Sequence, residues 1–302
     1  MENLCNICPR KCNINRNKNM GFCKSNNNIK IAKVMLHYFE EPIISGENTS
    51  FAKANGSGAI FFSNCNLKCC YCQNSNISSN GSGKEISVSA LADLFKQLET
   101  AGANNINLVT PTHYTQQIIE ALNIYKPAIP IIWNTSGYED LETIKLLKNY
   151  VDIYLTDIKY YSYELSQKYS QAKDYFKKAS VAVLQMRKNQ PLDIIEKGLM
   201  KKGLIIRHLV LPNQTKDSFS VVEWINQNLG NQTYLSLMSQ YVPMANAVNH
   251  PEINRKIKPI EYKILLNLLN KLNFSNVFTQ ELESANSCYT PDFEIQDNDF
   301  KY

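Results

Sequence analysis

The 302-residue chain lacks a long apolar run, and its first residues lack the apolar segment of a signal peptide. A membrane-spanning helix needs about 20 consecutive apolar residues. The opening stretch, MENLCNICPRKC, places cysteines where a signal peptide would be apolar. The sequence therefore predicts no membrane span and a cytoplasmic location.

The chain also lacks a strong excess of charge of either sign. Its net charge is +5, its lysines and arginines are scattered, and no nucleic-acid-binding module is evident. A mild positive balance of this kind is typical of a solvated surface rather than a nucleic-acid interface. We expect no nucleic-acid partner.

Cysteine is what the chain has in quantity, with nine residues. Without a secretory signal, so many cysteines indicate metal binding or catalysis rather than disulfides. The segment CNLKCCYCQN spaces Cys65, Cys69 and Cys72 as Cys-x3-Cys-x2-Cys, while Cys70 is expected to be a small packing residue. Three thiolates are one fewer than a closed structural site requires, so one metal position would stay open for chemistry.

A second group of cysteines lies in the first 25 residues and comprises Cys5, Cys8, Cys12 and Cys23. Four thiolates suit either a structural zinc ion or an iron–sulfur cluster that relays electrons. The spacing leaves both possibilities open.

Apolar strand-like runs alternate with amphipathic helical stretches from about residue 58 to residue 280, which predicts an α/β fold with a parallel sheet. About six such units indicate a partial (β/α)6 TIM-like barrel, with a doubly wound open sheet as the alternative. We assign 1–50 to a cysteine-rich N-terminal extension, with short strands and turns at 28–45. The barrel takes 51–285, including a polar loop at 73–84, and a tail predicted to run along the surface takes 286–302.

Polar residues follow the predicted strands at the edge where chemistry is found in such folds. The third strand is followed by Asn134-Thr135-Ser136-Gly137, and the fourth by Asp157-Ile158-Lys159. Arg207 lies within an apolar strand, so it needs a carboxylate or a ligand anion as partner. Each could also be structural: a helix-entry turn, a surface ion pair and a salt bridge, respectively.

Together these residues resemble the radical S-adenosylmethionine (SAM) superfamily, and within it the pyruvate formate-lyase activating enzyme and its relatives. The likeness rests on CNLKCCYCQN, on Asp157-Ile158-Lys159, and on the RHLVLP strand with Arg207 and Pro212. The N-terminal four-cysteine motif resembles that of an activase-like branch.

The resemblance implies that Cys65, Cys69 and Cys72 hold a 4Fe-4S cluster whose fourth iron binds SAM. Reductive cleavage of SAM would give a 5′-deoxyadenosyl radical that takes a hydrogen atom from a substrate. It also implies an electron donor such as flavodoxin or ferredoxin. The residues implied to bind SAM are Tyr71 and Gln73 for adenine, Asn134 and Ser136 for the ribose side, and Asp157, Lys159 and Arg207 for polar groups.

One motif departs from the family pattern. The activating enzymes carry a Gly-Gly-Glu-like motif after the second strand, where this chain has Val109-Thr110-Pro111-Thr112-His113. Thr110, Thr112 or His113 is expected to substitute. The substrate stays open between a protein, as for a glycyl-radical-enzyme activase, and a small molecule or peptide. A non-catalytic Fe–S protein for electron transfer or sensing is the alternative function.

Overall fold

The computed structural model describes residues 4–46 and 55–282 together with Phe293 and Phe300. One large sheet dominates the described part. Its strands are β1 Ile29–His37, β2 Ser57–Phe62, β3 Lys84–Ile86, β4 Ile106–Val109, β5 Ile131–Thr135, β6 Ile153–Asp157, β7 Ile194–Glu196, β8 Leu199–Leu209, β9 Tyr234–Met238 and β10 Val277–Thr279.

The helices connect these strands along the chain. They are α1 Pro42–Ser45, α2 Ser75–Ser78, α3 Val88–Thr100, α4 Thr115–Ile124, α5 Leu141–Leu146, α6 Tyr163–Ser170, α7 Tyr175–Asn189, α8 Thr215–Leu229 and α9 Pro259–Lys271. Ser87 caps α3 as its sequence predicts, since its side chain accepts a hydrogen bond from the backbone of Ala90.

The strand order is β10-β9-β8-β6-β5-β4-β2-β1-β3, and every neighbouring pair from β2 to β10 is parallel. The parallel strands thus follow chain order without the reversal that defines a doubly wound sheet. The α/β fold with a mostly parallel sheet is confirmed, and the order of its strands is that of an open barrel.

The two faces of the sheet carry different cores. Trp133 and Tyr154 face the surrounding helices, within a large cluster that includes Leu91, Phe95 and Val183. The opposite, concave face holds a smaller cluster of Ile132, Ile153, Leu155 and Ile205, closed by Ile44 of α1. Successive residues of a strand point to opposite faces, so Arg207 lies on the concave face with Ile205.

The segment before the barrel differs from its expected structure. Residues 29–37 form one nine-residue strand that pairs antiparallel with β2, rather than short strands and turns. A register irregularity between Ile31 and Lys33 interrupts the alternation that would have revealed it. Helix α2 and the start of β3 likewise lie in the predicted 73–84 loop. The domain boundaries stay a prediction, and apart from Phe293 and Phe300 the predicted tail lies outside the described residues.

No helix in the described part of the chain is both long and apolar enough to cross a membrane.

Candidate active site

The three-cysteine loop leaves the sheet directly after β2, at the edge where the parallel strands end. Cys65, Cys69 and Cys72 are each half-buried, and the charge on each of the other two would act on Cys65. Burial and this mutual repulsion raise the pKa of Cys65 to about 12, so its thiol is protonated without a metal. Metal binding would therefore release protons here.

Each of the three candidate ligand sulfurs has a hydrogen-bond partner. The partners are the backbone N–H of Leu67 for Cys65 at 3.4 Å, the hydroxyl of Ser170 for Cys69 at 3.0 Å, and the hydroxyl of Ser78 for Cys72 at 3.2 Å. Such contacts orient ligands around a metal and tune its properties.

The end of α6 supports the loop from the side. The backbone N–H of Lys68 donates to the carbonyl of Ser170 at 3.2 Å, and that of Cys70 donates to Tyr169 at 2.8 Å. The last carbonyls of a helix have no partner within it, so they are available to fix a neighbouring loop. Helix α6 therefore packs against the cysteine loop.

The turns after β5 and β6 are held against each other. Gly137 has φ of +78°, and a Cβ built on it would lie 2.2 Å from the carbonyl oxygen of Asp157. Only glycine allows so close an approach in that backbone conformation. The predicted residues Ser136 and Asp157 are thereby brought together.

Tyr175 of α7, which sequence reasoning missed, joins the same turns. Its hydroxyl lies 2.7 Å from the carbonyl oxygen of Ser136 and 3.2 Å from that of Asp157, and it accepts from the backbone N–H of Lys159 at 2.9 Å. One buried phenol thus positions three of the residues expected to bind a cofactor. Tyrosine in an amphipathic helix gave no signal of this role.

Asp157 and Lys159 form an ion pair that is largely shielded from solvent. Burial alone would lower the pKa of Lys159, but Asp157 and Cys69 hold it above its ordinary value. The ammonium group therefore stays charged beside Cys69, where it would compensate the negative charge of a metal-bound thiolate.

The other predicted cofactor residues lie around this edge. Asn134 and Ser136 are half-buried, and among the described residues no hydrogen bond engages either side chain. The side-chain amide of Gln73 donates to the carbonyl of Gln240, just past β9, at 3.3 Å. Tyr71 is buried, with its hydroxyl 2.6 Å from that of Tyr160.

Arg207 is on the concave face, but its guanidinium is already paired. Its Nε donates to Glu41 at 2.8 Å, and its Nη2 bonds both Glu40 and Glu41 from the segment between β1 and α1. Glu40 also accepts from Asn107 of β4 at 2.8 Å. This buried set ties the N-terminal segment across the inside of the barrel, an arrangement that no local sequence pattern could reveal.

The position of the missing Gly-Gly-Glu-like motif keeps a glycine-like backbone. Thr110 has φ of +61°, which is rare for a β-branched residue and typical of strained functional sites. Thr110 is half-buried at the strand end. Thr112 instead donates inward to Glu139 at 2.6 Å, and His113 is fully buried against the carbonyl of Ser63.

The N-terminal cysteines also approach one another. Burial raises the pKa of Cys8 to about 12, with smaller contributions from the nearby Cys23, Glu139 and Cys5. A Cβ built on Gly21 would lie 3.4 Å from the sulfur of Cys12 and 3.6 Å from that of Cys23. Cys23 thus lies near both Cys8 and Cys12, and a metal site formed by the four cysteines stays a prediction.

Neither cysteine group has the arrangement of a metal-binding site in the described residues. In residues 4–46 and 55–282, no three histidine, cysteine, aspartate or glutamate side chains form an arrangement that could hold a metal ion. The thiol donors nevertheless are of the type that soft metals and iron–sulfur clusters prefer.

Comparisons with known proteins identify the family of this chain. The Radical SAM superfamily matches residues 59–223, which run from β2 into α8. An uncharacterized protein of Methanocaldococcus jannaschii is 30% identical over 287 residues, covering 91% of this chain and 76% of that protein.

Two solved structures are similar to part of this chain. Streptococcus suis SuiB bound to precursor peptide SuiA aligns with a TM-score of 0.50 at 13% identity, covering 74% of this chain and 48% of that one. The FeFe-hydrogenase maturase HydG from Carboxydothermus hydrogenoformans aligns with a TM-score of 0.48 at 17% identity, covering 75% and 54%. This chain spans about half the length of these structures. The family match, which covers more than half of the chain, shows that the chain belongs to the radical SAM superfamily.

Proposed function

We propose that this radical SAM enzyme holds a 4Fe-4S cluster on Cys65, Cys69 and Cys72. When bound, the cluster supplies an open iron for SAM and one electron that cleaves it to methionine and a 5′-deoxyadenosyl radical. The observation that carries the proposal is the three-thiol loop itself. The charges of Cys69 and Cys72 act on Cys65, each of the three sulfurs has a hydrogen-bond partner, and the positive charge of Lys159 lies beside Cys69.

The strand-end residues are proposed to bind and orient SAM. Tyr71 and Gln73 would contact adenine. The side chains of Asn134 and Ser136, which form no hydrogen bond within the described part of the chain, would contact the ribose side. The polar groups of the methionine part would meet Asp157 and Lys159, which Gly137 and Tyr175 hold in place.

Arg207 is proposed to act on the cofactor only as part of an ionic set with Glu40 and Glu41. Because Glu40 and Glu41 take its Nε and Nη2, it cannot swing freely onto a ligand. The set of one guanidinium and two carboxylates has a net negative charge, which favours a positively charged group of the cofactor next to it.

Anaerobic reconstitution with iron and sulfide, reduction, and addition of SAM test the proposal. We expect 5′-deoxyadenosine and methionine from the native protein and from Cys70→Ala, which keeps the three proposed ligands. Cys72→Ala should form neither product. An intact cluster that forms no 5′-deoxyadenosine and whose EPR signal SAM does not alter would instead support a non-catalytic electron-transfer or sensor protein.

For the substrate, we propose a protein, as in a glycyl-radical-enzyme activase. The support is the resemblance of CNLKCCYCQN, Asp157-Ile158-Lys159 and the Arg207 strand to the pyruvate formate-lyase activating enzymes. The reduced enzyme should be incubated with SAM and with size-separated fractions of an anaerobic extract. Faster 5′-deoxyadenosine formation with the protein fraction is expected, whereas stimulation only by the small-molecule fraction would favour a metabolite or short peptide.

The N-terminal cysteines are proposed to hold a second metal group. A cluster that relays electrons is one possibility and a structural zinc ion the other, since Cys5, Cys8, Cys12 and Cys23 suit both. Iron, sulfide and zinc contents of an anaerobically prepared Cys5→Ala/Cys8→Ala variant test the N-terminal site. Contents equal to those of the native protein would refute it.

Radical SAM enzymes need an electron donor, and we propose that a flavodoxin or ferredoxin in the cytoplasm supplies the electron.

A further inference from the structure

The hydrogen bond from Ser170 to Cys69 is the last link of a longer chain. The hydroxyl of Ser170 lies 2.7 Å from that of Tyr160, which lies 2.6 Å from that of Tyr71. Tyr160 and Ser170 are fully buried and Tyr71 is 6% exposed. Three hydroxyls therefore lead through a dry region to one sulfur of the cysteine loop.

The direction of this chain follows from counting protons. Each hydroxyl has one proton to donate, and a metal-bound thiolate can only accept. The proton of Ser170 therefore points to Cys69, that of Tyr160 to Ser170, and that of Tyr71 to Tyr160.

Hydrogen bonds in such a chain strengthen one another. Each donor polarises the next hydroxyl, and low-polarity surroundings increase the effect. The bond that reaches Cys69 is thus stronger than that of an isolated serine, because Tyr160 donates to Ser170 and Tyr71 donates to Tyr160.

We infer that Ser170, Tyr160 and Tyr71 set the reduction potential of the cluster through the sulfur of Cys69. This rests on the proposed ligation by Cys65, Cys69 and Cys72. Hydrogen bonds to the sulfurs are among the factors that set such potentials. Reduction adds one electron from an external low-potential donor and makes or breaks no covalent bond. The added negative charge is stabilised by a donor at the sulfur, so the chain raises the potential. The three hydroxyl residues are positioning residues and ligate no iron.

The test is an EPR-monitored redox titration of the reconstituted protein, carried out without SAM. Ser170→Ala should shift the midpoint potential furthest in the negative direction, because it removes the donor. Tyr160→Phe should shift it less and Tyr71→Phe least. Ser166→Ala is the matched control, since this buried serine of α6 bonds the carbonyl of Tyr163 and touches no sulfur in the described structure. Its potential should equal that of the native protein.

Equal potentials for the native protein, Ser170→Ala and Tyr160→Phe, at equal iron and sulfide content, would overturn the inference and leave the proposed function intact. A native protein that holds no cluster would instead refute the proposed function. If Ser170→Ala loads no cluster, Tyr160→Phe decides the matter, because it leaves every contact to sulfur in place.

Discussion

The two cysteine regions, the loop after β2 and the head at residues 4–25, differ in how they are supported. In the loop, serine hydroxyls and backbone N–H groups reach the sulfurs, and α6 braces the backbone. The head is held mainly through its arginines: Arg10 donates to the carbonyls of Asn66 and Gln171, and buried Arg16 to those of His113 and Asn26. The loop thus has serine hydroxyls at two of its sulfurs, whereas in the head the backbone N–H of Phe22 reaches the sulfur of Cys12 at 3.3 Å and the arginines fix the backbone.

The largest contrast should appear when one cysteine of the loop is removed. Cys69→Ala is expected to lose the iron of the loop completely and to keep whatever metal the head holds, because the two groups share no ligand. Iron, sulfide and zinc analysis of anaerobic protein would show it. Simultaneous loss of metal from both regions would mean that they form one cooperative site.

A second contrast is between a buried and an exposed ion pair. Arg207→Met leaves Glu40 and Glu41 buried without their cation. Breaking a buried pair in this way costs about 3–5 kcal/mol, measured as the free energy of unfolding in urea. Lys145→Met is the control, because Lys145 pairs with an exposed Glu142 and such pairs contribute at most about 1 kcal/mol. Equal effects of the two substitutions would contradict the role given to Arg207.

Removal of a buried arginine from the head should lower the free energy of unfolding less, because Arg16 bonds backbone carbonyls rather than carboxylates. Arg16→Met removes charged hydrogen bonds to His113 and Asn26, which are worth about 1.5–3 kcal/mol together with the packing they fix. Lys11→Met, which removes only the partly exposed pair with Asp140, should cost at most about 1 kcal/mol. A loss from Arg16→Met no larger than that from Lys11→Met would contradict the role given to the hydrogen bonds of Arg16.

These contacts also show where sequence reasoning succeeds and where it stops. The order of the parallel strands and the place of the cysteine loop follow from alternating apolar and amphipathic segments, which are local. Ser170 reaches Cys69, and Glu41 reaches Arg207, across 101 and 166 residues of chain. Serine and glutamate are common at surfaces, so nothing near them in the sequence marks these roles. Tyr175 was missed for the same reason.

The smallest expected effect lies at the junction of the two regions, at His113. Its Nε2 is 2.8 Å from the carbonyl of Ser63, just before the loop, and its own carbonyl binds Arg16 of the head. Burial, with a contribution from Arg16, lowers its pKa from 6.5 to about 3. The unfolded chain therefore binds a proton that the folded protein excludes between these values. Stability is full above about pH 6.5 and is lost as the pH falls toward 3.

The measurement is the free energy of unfolding between pH 6.5 and 5, where few carboxylates titrate. Over this interval the native protein should lose about 1.5 kcal/mol to His113 alone. His113→Gln, whatever its absolute stability, should show a correspondingly flatter pH dependence. If the two slopes were equal, His113 would be accessible to protons in the folded state. The junction between head and loop would then be more open to water than its burial indicates.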